Sequence, residues 1–298
     1  MINKNNSPLA FMACEAEYST SDIVLFGAPF DGTSSYRPGS RFAGNAVRTE
    51  SFGIETYSPY LKRDLTDISV FDMGDLELPF GNAAAALQII EEATAEILCD
   101  GKKPLMVGGE HLVTLGTVRA AAKKYPDLHI LHFDAHADLR NDYMGEKLSH
   151  ATVIRRCAEL LTDKSIFQFG IRSMTKEEDS WAEEHTVQRK YDTGTLPSVI
   201  ETLGERPVYL TIDLDVLDPS IFPGTGTPEP GGISFVEGDP VGNTLRFRIG
   251  FTLLFGIVPL GTPVVHTDEF CLGESLGAAD RQGSRTTSDV EQSAFAVP

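Results

Sequence analysis

The hydrophobic positions of the chain alternate between two periods from residue 22 onward. Between Ala83 and Cys99, apolar residues recur every three or four positions, which predicts an amphipathic helix with Asn82 as its N-cap and Gly101 just past its end. Short runs rich in branched residues, such as Val208 to Ile212, predict buried strands. This alternation is typical of a parallel sheet built from βαβ units.

The same periodicity predicts further elements along the chain. They are strands at Pro104 to Val107, Leu128 to Phe133 and Ile166 to Phe169, and helices near Leu112 to Lys124, Ala151 to Leu161, Lys176 to His185 and Ser198 to Leu203. No linker or repeat divides this region, so we expect one catalytic domain over residues 1 to 235, with roughly the first 20 residues peripheral.

Three polar clusters each follow a predicted strand: residues 108 to 111, 134 to 138 and 213 to 215. In parallel sheets, ligands bind beyond the carboxyl ends of the strands, where the loops converge. The shared placement of the clusters therefore predicts a single functional site.

Composition excludes several classes of partner. The 298 residues include 43 acidic and 25 basic side chains, a formal charge of −18, which disfavours nucleic acid and anionic membranes as partners. The longest apolar stretch, Ile249 to Leu260, is too short to span a bilayer, and no N-terminal targeting pattern is found, so a cytoplasmic location is expected. The four cysteines contain no C-x-x-C pair, which favours reduced packing thiols at Cys14, Cys99, Cys157 and Cys271.

The polar clusters are rich in side chains that bind metals. Alternate residues of an extended segment lie about 6 to 7 Å apart, whereas donors to one ion at bond lengths of about 2 Å must lie closer, so the spacing requires curling or a second ion. Carboxylates gathered in one crevice without cations would repel each other. We therefore predict a two-ion centre. Its expected ligands are His111, Asp134, His136, Asp138, Asp213 and Asp215.

Two other histidines, His129 and His132, lie inside a predicted strand, where packing or hydrogen bonding is expected instead of metal ligation. Oxygen-rich ligation with two imidazoles and no thiolate favours manganese over iron, cobalt or zinc. Two ions about 3.5 to 4 Å apart can share a water molecule and lower its pKa, which indicates hydrolysis. Four aspartates and a hydroxide against two dications leave about one negative charge, which suits a cationic electrophile better than a phosphate ester.

Three segments identify a family. Residues 108 to 111 (GGEH), 133 to 138 (FDAHAD) and 211 to 215 (TIDLD) resemble the three metal motifs of the ureohydrolases, the arginase and agmatinase family. The resemblance runs from about residue 22 to Phe235. It implies an arginase-like α/β fold, with helices in three α/β/α layers around a mostly parallel central sheet, and a homo-oligomer, either a trimer or a hexamer.

Carried over by position, the resemblance implies roles for individual residues. His111 and Asp138 would bind one manganese ion, His136 and Asp215 the other, and Asp134 and Asp213 would bridge the two. His150, which follows Ser149, matches the family's proton-shuttling histidine. Such a group is needed because an amine leaves a guanidinium carbon readily only after protonation. Asp138 would relay a proton to the departing nitrogen.

Two loops in the sequence indicate the substrate. Residues 224 to 232 and 139 to 148 look more like the agmatinase branch, and Leu139-Arg140 stands where arginases carry an asparagine that grips the α-carboxylate. This favours agmatine, a small cationic guanidino substrate whose hydrolysis gives urea and putrescine for polyamine biosynthesis. Two alternatives stay open: a guanidinobutyrase or arginase, with Arg140 holding a carboxylate, and a metal-binding but catalytically impaired relative.

After Phe235 the resemblance is lost. No family-like helix, strand or Glu-Leu-Ser-Pro segment, whose glutamate grips the guanidinium, is found in residues 236 to 298, so this part is expected to be atypical. Our hypothesis is a shifted reading frame; the alternative is that Glu269 or Glu274 serves the guanidinium. Translating the other two frames of the nucleotide sequence checks this, and finding no such segment there would contradict it.

Overall fold

The chain folds around a parallel β-sheet. A computed structural model describes residues 2–5, 7–59 and 62–234 and the backbone of residues 264–268. Its strands are β1 (Ile23–Ala28), β2 (Tyr57–Ser58), β3 (Arg63–Asp64), β4 (Val70–Asp75), β5 (Lys103–Gly108), β6 (His129–Phe133), β7 (Ile166–Phe169), β8 (Val187–Arg189), β9 (Val208–Ile212) and β10 (Val264–Asp268). Eight of them form one sheet in the order β4-β1-β5-β10-β9-β6-β7-β8, and all its pairings are parallel. The short strands β2 and β3 form a separate antiparallel pair.

Helices cover both faces of the sheet. They are α1 (Ala43–Ser51), α2 (Ala83–Cys99), α3 (Thr114–Lys124), α4 (Val153–Ala158), α5 (Lys176–His185) and α6 (Leu196–Leu203). Alternate strand residues point to opposite faces, so Ile130 and Tyr209 pack in the core beneath α2 to α5, whereas Leu131 and Leu210 pack with α6. The predicted fold class, three α/β/α layers around a mostly parallel sheet, is confirmed.

Several predicted element bounds agree with the structure. The helices at Ala83–Cys99 and Lys176–His185 begin and end where the periodicity places them, and the Asn82 side chain caps α2 by accepting the Ala85 N–H at 3.0 Å. Helix α4 is shorter than predicted. Residues 150 to 152 form a 3₁₀ turn, and Ser149 and Thr152 cap each other there, so the α-helix begins only at Val153.

Four strands of the main sheet, β1, β4, β8 and β10, are not among the strands that the sequence predicts. No strand is expected from the sequence after Phe235, and this expectation is wrong, because β10 lies inside the sheet between β5 and β9 and pairs with both. Its sequence has only two adjacent apolar residues, Val264 and Val265, followed by polar ones. Such a run carries too little hydrophobic pattern to predict a strand, and its conformation follows from pairing on both sides.

Two remaining expectations concern cysteines and membranes. Cys14 and Cys157 are buried as predicted, but Cys99 is exposed because it ends α2 next to the C-cap residue Asp100; Cys271 lies outside the described residues. Within the described part of the chain, no helix combines the length and the apolar character needed to cross a bilayer.

Candidate metal centre

The six predicted ligands meet at the carboxyl ends of three strands. His111 lies in a 3₁₀ turn shortly after β5, Asp134 directly follows β6, and Asp213 directly follows β9. Five of the six residues are buried, and His136 is half-buried. The structure therefore brings together every side chain that the motifs indicate.

His111 faces three carboxylates. Its Nδ1 atom lies 2.9 Å from Asp134 Oδ2, 3.1 Å from Asp138 Oδ2 and 3.9 Å from Asp213 Oδ2. On the other side of the ring, Nε2 lies 3.1 Å from the Thr211 hydroxyl, which orients the imidazole. The ring thus presents Nδ1 to a compact set of oxygen donors.

His136 forms a second cluster on the other side of Asp134. Its Nδ1 atom lies 2.9 Å from Asp215 Oδ2 and 3.5 Å from Asp134 Oδ1. The two oxygens of Asp134 therefore face different imidazoles, with Oδ2 toward His111 and Oδ1 toward His136. Asp134 lies between two donor clusters, which is the arrangement that a bridging carboxylate requires.

Backbone hydrogen bonds curl the ligand segments. Asp134 Oδ1 accepts the His136 N–H at 2.6 Å, and Asp213 Oδ1 accepts the Asp215 N–H at 3.0 Å. Asp138 has φ 53°, in the left-handed region that non-glycine residues seldom adopt. Because the segments are curled and not extended, donors at alternate positions converge, which removes the spacing conflict noted for the sequence.

Burial and neighbouring negative charges raise the pKa values of three carboxyl groups in the cluster. Burial and the charge of Asp134 raise the pKa of Asp138 to about 7. Burial, followed by the charge of Asp215, raises the pKa of Asp213, and burial with the charge of Asp134 raises that of Asp215. Each of these shifts favours the protonated form of the carboxyl group, and a bound cation would oppose it. Clustered oxygen donors and two imidazoles, among carboxyl groups that resist ionisation without a cation, fit divalent cations.

His150 lines the same cleft as the ligands, and its ring contacts the hydroxyl groups of two residues in the loop after β1. Its Nδ1 is 3.4 Å from the Thr33 hydroxyl and its Nε2 is 3.2 Å from the Ser35 hydroxyl. Thr33 in turn donates its hydroxyl to Glu110 Oε1 at 2.6 Å. Burial lowers the pKa of His150 to about 4, so the ring is neutral near pH 7. No sequence pattern singled out Thr33, Ser35 or Glu110 as functional, although Glu110 lies within the first metal motif.

Arg172 was also missed. Its guanidinium donates to the carbonyl oxygens of Asp215 at 2.5 Å, Glu229 at 2.8 Å and Pro230 at 3.1 Å, and so ties the third ligand segment to the loop at residues 229–230. This loop places Glu229 Oε1 3.6 Å from His136 Nε2. No local pattern points to these contacts, because the partners lie 43 to 58 residues away in the sequence.

A cleft of about 280 Å³ opens over the donors. Its other walls include Tyr36, Arg37, Arg140, Tyr143, His150 and Glu178. Arg140 Nε lies 3.8 Å from Glu178 Oε2, and its guanidinium lies over the Tyr143 ring. The cleft therefore combines a carboxylate-rich floor with two arginines at its walls.

The sequence of the chain also matches a known protein family. The sequence profile of the Arginase family covers residues 21–251, so the chain belongs to the arginase family, and the predicted ureohydrolase identification is confirmed. The match continues past Phe235, where we expected the resemblance to end.

Relatives within the family have named activities. Agmatinase from Bacillus subtilis is 52% identical over 229 residues, which cover 76% of this chain and 79% of that protein. Guanidinobutyrase from Pseudomonas aeruginosa is 36% identical, and the match covers 74% of each protein. A crystal structure from Clostridium difficile, provisionally named an agmatinase, has a TM-score of 0.78 and 45% identity, covering 86% of this chain and 90% of its own.

We expect the metal-free protein to lose stability as the pH rises from about 6.5 to 8. Burial raises the pKa of Asp138 to about 7 and raises that of Asp213. Against the opposing effect of burial, the charge of Asp215 raises the pKa of His136 to about 12. Unfolded carboxyl groups, in contrast, ionise at about pH 4 and unfolded histidine at about pH 6.5. The folded state therefore binds more protons in this window, and raising the pH favours unfolding. Burial lowers the pKa of His132 and His150. These two shifts make the stability rise with pH, but mainly below about pH 6.5, where unfolded histidine is protonated.

Thermal midpoints of chelator-treated protein at both ends of this window measure the effect. Asp138→Asn, which stays neutral, should make the decline shallower without abolishing it, because folded His136 still keeps a proton that the unfolded chain loses, and Mn²⁺ should oppose the decline because a cation replaces the protons. A midpoint that rises with pH in the metal-free protein would contradict the expectation.

Proposed function

We propose that this chain is a binuclear manganese hydrolase that cleaves the guanidino group of agmatine to give putrescine and urea. The observation that carries the proposal is the position of Asp134 between two imidazoles, each of which has its own further carboxylate. Membership of the arginase family and the agmatinase named among its relatives support the same reaction.

The geometry supports a definite division of ligands. His111 and Asp138 would hold one ion, His136 and Asp215 the other, and Asp134 and Asp213 would bridge them. Oxygen-rich ligation favours manganese. When bound, a pair of dications lowers the pKa of water enough to supply a hydroxide nucleophile near neutral pH.

His150 and Asp138 would move protons. A neutral His150 can accept a proton on one ring nitrogen and return it to the leaving amine, while the hydroxyls of Thr33 and Ser35 orient the ring. Asp138 lies at the floor of the same cleft and would relay a proton toward the departing nitrogen.

A second candidate substrate is 4-guanidinobutyrate. Arg37 and Arg140 line the cleft and would repel the terminal ammonium of agmatine, whereas either could pair with a carboxylate. Arg140 already lies beside Glu178, and this reduces its capacity for a further anion. This pairing and the higher identity to an agmatinase favour agmatine.

Other parts of the sequence-based prediction stay predictions. The guanidinium-binding candidates Glu269 and Glu274 lie outside the described residues. A trimer or hexamer, a cytoplasmic location and the single catalytic domain over residues 1 to 235 are expected from the sequence and the family resemblance. The catalytically impaired relative is the outcome to which an inactive, metal-loaded chain would point.

Urea release by purified protein loaded with Mn²⁺ tests the proposal. We expect urea from agmatine to exceed that from arginine and guanidinobutyrate, and to depend on added Mn²⁺, because the ligand set matches that ion and the cleft floor is anionic. Arg140→Ala provides a control: it should leave agmatine turnover largely intact and weaken any guanidinobutyrate turnover. Absence of urea from all three compounds with metal bound would support the impaired relative.

His150→Asn should lower kcat by about 10²- to 10⁴-fold, because it removes a proton-transfer group. Its metal content should stay unchanged, since His150 lies outside the ligand set. His185→Asn is the matched control, because His185 lies on α5 and pairs with Asp163 away from the cleft. Full activity in His150→Asn would exclude His150 as the proton shuttle.

A further inference from the structure

A buried histidine that the proposed reaction does not use lies beneath the metal centre. His132, in β6, has no solvent exposure, and its Nε2 atom lies 2.9 Å from Asp134 Oδ2. Its Nδ1 atom lies 3.0 Å from Nε2 of Gln168, the residue that faces it across the strand pair in β7. His132, His111 and Asp134 are close enough together to share an ion, so His132 is either a metal ligand or a support for Asp134.

The orientation of the Gln168 amide decides between these roles. Gln168 Nε2 lies 2.8 Å from the carbonyl oxygen of Ala137, which can only accept a hydrogen bond. Its Oε1 atom accepts from the Thr186 hydroxyl at 3.1 Å and from Gln188 Nε2 at 3.0 Å. A flipped amide would bring two oxygens together at Ala137, so the nitrogen faces His132.

This orientation fixes the proton on the imidazole. Gln168 Nε2 donates to His132 Nδ1, so Nδ1 carries a lone pair, and the proton of the neutral ring lies on Nε2. That proton can be donated only to Asp134 Oδ2, the atom facing it. A nitrogen that carries a proton cannot bind a metal ion.

We propose that His132 is a positioning residue whose tautomer, set by Gln168, locks the Asp134 carboxylate in its bridging orientation. The donated hydrogen bond holds Oδ2 from below, while the His136 N–H holds Oδ1 at 2.6 Å, so rotation of the carboxylate is blocked from both sides. The inference rests on the proposed metal centre for its consequence, but the tautomer itself does not depend on metal or catalysis.

Two substitutions of His132 separate positioning from packing. His132→Phe keeps a ring but removes the donor, and we expect Mn²⁺ affinity to fall by about 10- to 100-fold, the usual effect of losing a hydrogen bond to a metal ligand. In His132→Gln, the amide nitrogen can take the place of Nε2, so affinity should return to within a few-fold of the parent. Calorimetric titration of metal-free protein with Mn²⁺ measures this, and thermal midpoints of the metal-free variants report packing separately.

Nitrogen-15 NMR of histidine-labelled, metal-free protein tests the tautomer directly. The His132 signals, assigned by their loss in His132→Gln, should show an unprotonated Nδ1 and a protonated Nε2. Gln168→Glu places an acceptor opposite Nδ1, so it should move a proton onto that nitrogen and weaken Mn²⁺ binding. This variant and the parent spectrum keep the test decisive even where His132→Phe does not fold.

The outcomes are distinguishable. A protonated Nδ1 in the parent, or unchanged Mn²⁺ affinity in a folded His132→Phe, would overturn the proposal. Equal losses of affinity in His132→Phe and His132→Gln would also count against it, because donor replacement would then have no effect. Absence of urea release with the expected NMR spectrum would refute only the proposed function.

Discussion

The candidate metal centre depends on one buried carboxylate, Asp134, that stays ionised while neighbouring carboxyl groups resist ionisation. Burial opposes the charge of Asp134, but hydrogen bonds from His111, His132 and His136 hold its pKa well below the usual value. The neighbouring Asp138 and Asp213 are shifted upward by burial and by like charge. Because the pKa of Asp134 is lowered while those of its neighbours are raised, Asp134 supplies the negative charge of the centre. Cations are needed before the neighbouring groups can ionise fully.

The sequence predicted four of the eight main-sheet strands, β5, β6, β7 and β9, and the helices α2 to α6, because these elements carry strong hydrophobic periodicity. The strand at Val208–Ile212 and the helix at Ala83–Cys99 were located correctly because each buries a continuous apolar face. Prediction failed where conformation depends on distant partners. The start of α4 shifts because Ser149 and Thr152 cap a 3₁₀ turn, and β10 is a strand because two neighbours pair with it.

The candidate site likewise has features that the sequence predicted and features that depend on contacts between distant residues. Residue types and spacing indicated the six donors, and bond lengths required either curled segments or a second ion. The spacing could not show which oxygen faces which imidazole, because His111 and Asp213 are far apart in sequence and their contact depends on the sheet order. It could not show the Arg172 contacts for the same reason. For His132 the sequence predicted packing or hydrogen bonding, and the structure shows a fully buried, hydrogen-bonded ring.

The centre has two donor clusters, one around His111 and one around His136. The order of strands in the sheet positions these two halves of the centre differently. Neighbouring strands lie about 4.8 Å apart, so β5 and β9, separated by β10, are about 10 Å apart, and His111 and Asp213 meet across that gap at 3.9 Å. His136 and Asp215 follow β6 and β9, which pair directly. The His111 half therefore depends on a strand from the part of the chain that least resembles the family, whereas the His136 half does not.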